Sequence, residues 1–173
     1  MQVWPRKRAK RAIARVRSRN KGSANLPAFI GYKAGMTHII VKDNTPGTMY
    51  KNEDVFVPVS IIECPPLKSL SLRFYKKTDD GLKLSSEKFS DNIPKEVKKY
   101  IKVSKKKALE IEGFDELRLV VDSQPYLVGF GKKKPELMEI QIPGKDNKEK
   151  LNLPNDLLKK EIKINDVLKG QRF

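Results

Sequence analysis

The chain has 173 residues, 38% of them apolar and 34% charged, and 37 Lys and Arg against 21 Asp and Glu give it a formal charge of +16. That length suits one compact domain with a tail, the apolar share argues against a wholly disordered basic protein, and the charge surplus points to a polyanion, with RNA, DNA and an acidic membrane surface all open on composition alone. One cysteine, Cys64, rules out an intrachain disulfide framework and makes an intracellular, reducing location the expectation; no apolar run approaches the ~20 residues of a bilayer span and no secretory signal is evident, so no membrane partner is expected.

The charge is concentrated at the start. Residues 1–21 contain Arg6, Lys7, Arg8, Lys10, Arg11, Arg15, Arg17, Arg19 and Lys21 and no acidic residue. The remaining 152 residues carry 28 basic and 21 acidic side chains, so the body is only mildly basic. Free in solution such a segment is a solvated tail, because its like charges repel and few apolar groups compensate. Against phosphate the repulsion is relieved and counterions are released, so a tail of this kind orders on nucleic acid. Trp4, Ile13 and Val16, interleaved with the cations, offer stacking or wedging contacts that a solubility tail does not need. Localisation signals share this composition.

Beyond the tail the pattern is mainly β. The segment 29–41, "FIGYKAGMTHIIV", has β-forming residues at both ends and glycines within, which predicts an extended stretch with a bend or close approach. Val55, Val57, Val59 and Ile61 alternate with Phe56, Pro58, Ser60 and Ile62, and Pro58 places that strand at an edge or a bulge. Leu70, Leu72 and Phe74 alternate with Ser71, Arg73 and Tyr75 up to the turn "DDG" at 79–81. The period then changes: Val97, Ile101, Ser104, Ala108 and Ile111 recur at intervals of four and three after Pro94, predicting a lysine-rich amphipathic helix, or two short ones, over 94–111. Lys105, Lys106 and Lys107 within it are candidate phosphate contacts or ordinary solvated side chains. Strands are predicted again at 117–121 and 137–142, separated by the loop "SQPYLVGFGKKKP" with its second basic cluster, Lys132, Lys133 and Lys134. A short helix at 155–160, a strand-like piece at Ile162 and Ile164, and a closing "NDVLKGQRF" that reads as the approach to a further strand complete the chain.

Enzymatic readings find little material. His38 is the only histidine, and with one cysteine and no other soft ligand nearby neither zinc nor any other metal site is expected. A Cys64–His38 dyad is compatible with spacing, but "IIECPPL" reads as a small, partly buried cysteine beside a turn. A hydrolase would require His38 within about 3 Å of a nucleophile in a cleft. "GFGKKK" at 129–134 lacks the full phosphate-loop pattern. No catalytic residue and no cofactor are assigned.

The segment "WPRKRAKR" at 4–11 followed by "FIGYKAGMTH" at 29–38 closely resembles the amino-terminal part of the archaeal and eukaryotic branch of large-subunit ribosomal protein L-three. Further matches follow in order: "IIECPPL" at 61–67, "SKKKA" at 104–108, "DSQPYLVGFGKKKPELMEIQI" at 122–142 and "INDVLKGQRF" at 164–173. The resemblance implies a non-enzymatic, structural constituent of the large ribosomal subunit that binds large-subunit rRNA, supports early assembly near the peptidyl-transferase region, and works in the cytoplasmic ribosome among neighbouring large-subunit proteins. It implies a mainly β fold with an α-helical insertion: a partial, translation-protein-like β-barrel carrying a basic extension. Residues 1–26 are then the RNA-binding extension, and 27–173 the barrel body with its helical insertion at about 90–112.

Family members run to about twice this length, and this chain stops just before their glycine- and lysine-rich central stretch. The barrel is therefore expected to be incomplete, with exposed edges covered by a second polypeptide carrying the missing half or by RNA; a split gene and a fragment are both open. The arginines of the tail are the foremost RNA contacts, their planar forks suiting phosphates and base edges, followed by Lys7, Lys10 and Lys21. Trp4 is a stacking candidate, Lys33 a contact implied by the resemblance, and Lys105–Lys107 and Lys132–Lys134 secondary ones. The rival reading is an RNA-binding assembly or regulatory module absent from mature ribosomes.

Overall fold

A computed structural model describes residues 26–102, 113–144, 157–158 and 160–167. Strands β1 (Tyr32–Lys42) and β2 (Asp54–Glu63) form an antiparallel two-stranded ribbon. Strands β3 (Leu67–Thr78), β4 (Gly81–Phe89), β5 (Glu116–Asp122), β6 (Leu137–Gln141) and β7 (Glu161–Ile162) form a second antiparallel sheet in the order β4-β3-β5-β6. The two-residue β7 pairs with the start of β3, Leu67 opposite Ile162, on the edge that β4 occupies further along. Helix α1 (Lys95–Lys98) and helix α2 (Ile164–Val167) are single turns, and a 3-10 turn spans Pro125–Leu127. Two antiparallel sheets with a small helical insertion thus make up the described chain, and among the described residues they do not close into a barrel.

The strands expected between residues 29 and 142 form, and bulges decide which way their side chains point. In β1 the register slips between Lys33 and Gly35, the bend anticipated from the glycines. Pro58 sits opposite His38 in a ribbon with no third strand among the described residues, so it lies on an edge strand, where a residue without an N–H is tolerated. In β3 the slip lies between Ser69 and Ser71, so Leu70 is the extra residue. Leu72 and Phe74 join the main core, while Leu70 turns to the opposite face and packs with Ile93 and Val97. Simple alternation, which groups Leu70 with Leu72, misses that reversal.

The β3–β4 hairpin turns at Asp79 and Asp80. Thr78 Oγ1 donates to the Gly81 carbonyl at 2.8 Å, and Gly81 takes φ +119°, a conformation strained for any L side chain. Strand β4 carries no clear alternation, because Leu82, Leu84 and Phe89 are dispersed among Lys and Ser; it forms because it can ladder onto β3. The helix expected over 94–111 is, within the described residues, one turn followed by Lys99 and Tyr100 in a turn; 103–112, with Ser104, Ala108 and Ile111, lie outside them. Without a side-chain cap, so short a helix depends on its packing, here the burial of Val97.

Most of the segment expected to be helical at 155–160 lies outside the described residues. Ile162 is in β7 as expected, but Ile164 opens α2 rather than continuing a strand. The Lys163 N–H donates to the Asp166 carboxylate at 3.2 Å and its carbonyl accepts from the Asp166 N–H at 3.0 Å, a local closure that competes with the ladder. The start of "NDVLKGQRF" is accordingly helical through Val167, and 168–173 lie outside the described residues.

One face of the five-stranded sheet carries the core: Leu67, Leu72, Phe74, Leu117, Leu119, Val121, Ile140 and Ile162, joined by Ile30, Phe114 and Ile142. Full burial of each such aliphatic side chain contributes about 1.5–3 kcal/mol against exposure. The ribbon has no comparable cover.

Candidate RNA interface

Of the residues singled out for RNA, Trp4, Arg6, Lys7, Arg8, Lys10, Arg11, Arg15, Arg17, Arg19, Lys21, Lys105, Lys106 and Lys107 lie outside the described residues. Lys33, Lys132, Lys133 and Lys134 lie within them, and their surroundings differ. Lys33 is exposed on β1 opposite Ile62, on the ribbon face that also carries Met36, His38, Ile40 and Phe56. The other face presents Ile39, Val41, Val55, Val57, Val59 and Ile61, so the ribbon is apolar on both sides, with Met36 and Phe56 each 66% exposed.

The second basic cluster sits on a loop held at its base. The Ser123 N–H donates to the Glu136 carbonyl at 3.2 Å, and Ser123 Oγ accepts from the Glu136 N–H at 3.0 Å and meets the Tyr32 hydroxyl at 2.7 Å. Gln124, at φ 20°, donates from Nε2 to the Pro66 carbonyl at 2.8 Å and accepts from the Tyr126 hydroxyl. Phe130 packs edge-on against Tyr32 with centroids 4.8 Å apart, tying the loop to the base of the ribbon. Between these anchors the lysines separate by role. Lys132 forms an ion pair with Glu136, whereas Lys133 and Lys134 are exposed. Lys134 Nζ stands 5.5 Å from the centroid of the Tyr100 ring, which is half-exposed beside α1. Tyr100 had no motif to mark it in the sequence; only the fold brings it beside a lysine 34 positions away.

Not every cation of the body is available to an anion. On the sheet face opposite the core, Arg73 bonds Glu87 at 2.9 Å and also pairs with Glu139, while Arg118 bonds Glu116 at 2.9 Å and Glu139 at 3.2 Å. Tyr75 donates to Glu139 at 3.1 Å and lies under the Arg118 guanidinium, 4.6 Å from its ring centroid. Three carboxylates surround two guanidinium groups, so this face does not attract phosphate. Burial pushes the Glu139 carboxyl up, but hydrogen bonds from Arg73 and Arg118 outweigh it and hold the group below its ordinary value.

Asp122, at the end of β5 opposite Lys68, is fully buried, and neither carboxylate oxygen has a well-formed hydrogen bond, the nearby Ser123 N–H being directed to the Glu136 carbonyl. Burial pushes its carboxyl up to about 6, the Ser123 N–H and Lys68 opposing and Glu96 adding to the rise. At Cys64 burial likewise raises the thiol, the wrong direction for a nucleophile, and its Sγ lies 3.9 Å from the Ile62 carbonyl. His38 stands in mid-ribbon opposite Pro58, its ring centroid 6.0 Å from that of Phe56. Among the described residues no group of three His, Cys, Asp or Glu is placed to hold a metal ion, and no helix is long and apolar enough to cross a membrane.

The family model described as "Ribosomal protein L3" matches residues 1–113, a stretch that takes in the basic tail, the ribbon, β3, β4 and α1. The chain is 37% identical over 174 residues to the large ribosomal subunit protein uL3 of Methanocaldococcus jannaschii, covering 94% of this chain and 52% of that protein. It is 36% identical over 177 residues to the protein of the same name from Methanococcus aeolicus, covering 98% and 53%, and 36% over 178 residues to that of Picrophilus torridus, covering 100% and 54%. The chain thus spans about half the length of the curated relatives it matches.

Proposed function

From the premise that the chain belongs to the ribosomal protein L3 family, we propose that it is a structural, non-enzymatic constituent of the large ribosomal subunit, binding large-subunit rRNA and supporting its assembly near the peptidyl-transferase region. The observation that carries this reading is the family match itself, because it includes the acid-free tail whose nine cations are the strongest electrostatic feature of the chain. In this reading residues 1–26 are an extension that threads rRNA, with Arg6, Arg8, Arg11, Arg15, Arg17 and Arg19 forking onto phosphates and base edges, Lys7, Lys10 and Lys21 as point charges, and Trp4 stacking. Lys33, Lys105, Lys106 and Lys107 add contacts from the body, and so do Lys133 and Lys134. Lys132, already paired with Glu136, contributes less. Residues 27–173 form the body, and the site of action is the cytoplasmic ribosome.

The body is part of a barrel completed by further polypeptide, the half of the family-length protein that this chain does not span. Two observations support that completion. Both faces of the ribbon leave large apolar side chains in water, and its outer edges are unpaired among the described residues. Such edges and patches invite strand pairing or packing. Neighbouring large-subunit proteins and rRNA would cover what the second half does not.

Mass spectrometry of native large subunits washed in high salt tests the reading. Stoichiometric recovery of this chain's peptides, together with peptides matching the second half of the family, is the expected result. Recovery in precursor particles alone would overturn it in favour of an assembly module.

A further inference from the structure

We propose that Tyr100, with the exposed ammonium groups of Lys98, Lys99, Lys102, Lys133 and Lys134, forms a second RNA contact on the body, one that takes an unpaired nucleotide. The inference rests on the RNA-binding reading above and gives it a contact on the body. Three of these lysines come from the α1 region and two from the 129–134 loop, clusters about thirty residues apart in sequence. The fold joins them where Lys134 Nζ stands 5.5 Å from the centroid of the Tyr100 ring.

Tyr100 remains 53% exposed despite that contact, so part of its ring faces water. A half-exposed aromatic ring with one ammonium over it and further exposed lysines on the two segments that meet there suits single-stranded nucleic acid: the ring offers a surface for a base or ribose, and ammonium groups neutralise flanking phosphates. A regular duplex keeps its bases stacked inside and offers the ring nothing equivalent. Of the nearby carboxylates, Glu136 is occupied by Lys132. Val97 beneath the patch is buried, which fixes the backbone that carries Tyr100. The Tyr100 N–H in turn donates to the Val97 carbonyl at 2.9 Å.

The test uses the full chain with two probes, a short unstructured oligouridine and an RNA duplex of equal length, over a range of salt concentrations. Tyr100→Ala is expected to weaken oligouridine binding about tenfold, the scale of one lost base–aromatic stack, and to leave duplex binding unchanged. Tyr100→Phe, which keeps the ring, is expected to bind as the parent does. The double variant Lys133→Ala, Lys134→Ala is expected to lower the salt slope for the oligouridine by about 1.4, two phosphate contacts at ~0.7 each. Parent-like binding of oligouridine by Tyr100→Ala overturns the proposal, as does an equal loss on both probes. A variant with Arg6, Arg8 and Arg11 all changed to Ala separates the two readings. If it loses affinity for both probes while Tyr100→Ala does not, the patch is overturned and the tail reading stands; if the parent chain binds neither probe, both fall.

Discussion

The ribbon β1–β2 and the strand pair β3–β5 are built from similar residues and end in opposite environments. Ile39, Ile40, Phe56 and Ile61 are exposed, while Leu72, Leu117 and Leu119 are at most 1% exposed. The two regions have comparable β-forming composition and comparably regular ladders. What separates them is the number of elements stacked on each face. The central sheet has Ile30, Phe114 and Ile142 joined to the core on its inner side, its edge extended by the short β7, and Ile93 and Val97 on part of its outer side. A strand pair standing alone is at best marginally stable in water, so the ribbon takes its order from its ladder and its anchor to the body.

The comparison is broken most sharply in the core. Leu119→Ala removes a side chain with no exposed area from the centre of the sheet, and we expect a loss of about 2–5 kcal/mol, read as a lowered denaturation midpoint. The matching change on the ribbon, Ile40→Ala, is expected to cost less than about 0.5 kcal/mol in the same assay. A large effect at Ile40 would mean that the ribbon is covered in solution. The anchor between the two regions is tested at Gly31. A Cβ there would clash with Ile62 Cγ2 and lie 2.9 Å from Cys64 Sγ, so Gly31→Ala should cost about 1–3 kcal/mol through displacement of the start of the ribbon.

Two carboxyls on the central sheet sharpen the contrast through pH, with opposite signs. Asp122 has a folded pKa raised to about 6, so the fold binds its proton more tightly than the unfolded chain does. Its penalty is fully present at neutral pH, shrinks as pH falls through about 6, and is gone below the ordinary Asp value near ~3.9. Asp122→Asn should therefore stabilise the chain at pH 7 by about 1–2 kcal/mol, allowing for screening, and have little effect near pH 4. A destabilised variant at pH 7 would show that the buried carboxylate is satisfied in solution.

Glu139 has a lowered folded pKa, so its contribution is present above the unfolded value and is lost as pH falls through the lowered one. Glu139→Gln should cost about 1 kcal/mol at pH 7, since the network is part-exposed, and nothing at a pH where Glu139 is protonated. Thermal denaturation across pH checks both variants. The smallest effect is expected at the surface of the ribbon, where Phe56→Ser should leave the melting temperature within about 2 °C and reduce binding of an apolar dye.

The legibility of the chain follows the range of the forces involved. Strands β1, β2, β3, β5 and β6 were readable from β-branched runs and alternation, because one strand's side-chain period is a local property. The turn at Gly81 was readable because a positive φ selects for glycine. Strand β4 was not, since it forms on a template, and Leu70 was assigned to the wrong face because a bulge depends on the partner strand's register.

The family was legible in the motifs, and the foremost candidate contacts in the acid-free run of arginines. The state of the body's cations was not. Lysines 132, 133 and 134 are identical in type and adjacent in sequence, yet one is neutralised by Glu136, one is exposed, and one stands over Tyr100. The polyanion-seeking charge, the β character and the family are carried by composition, period and motif, which neighbouring residues share along the chain. Which apolar strands are covered, which carboxyl is buried against its charge, and which lysine meets Tyr100 depend on residues that only folding brings together.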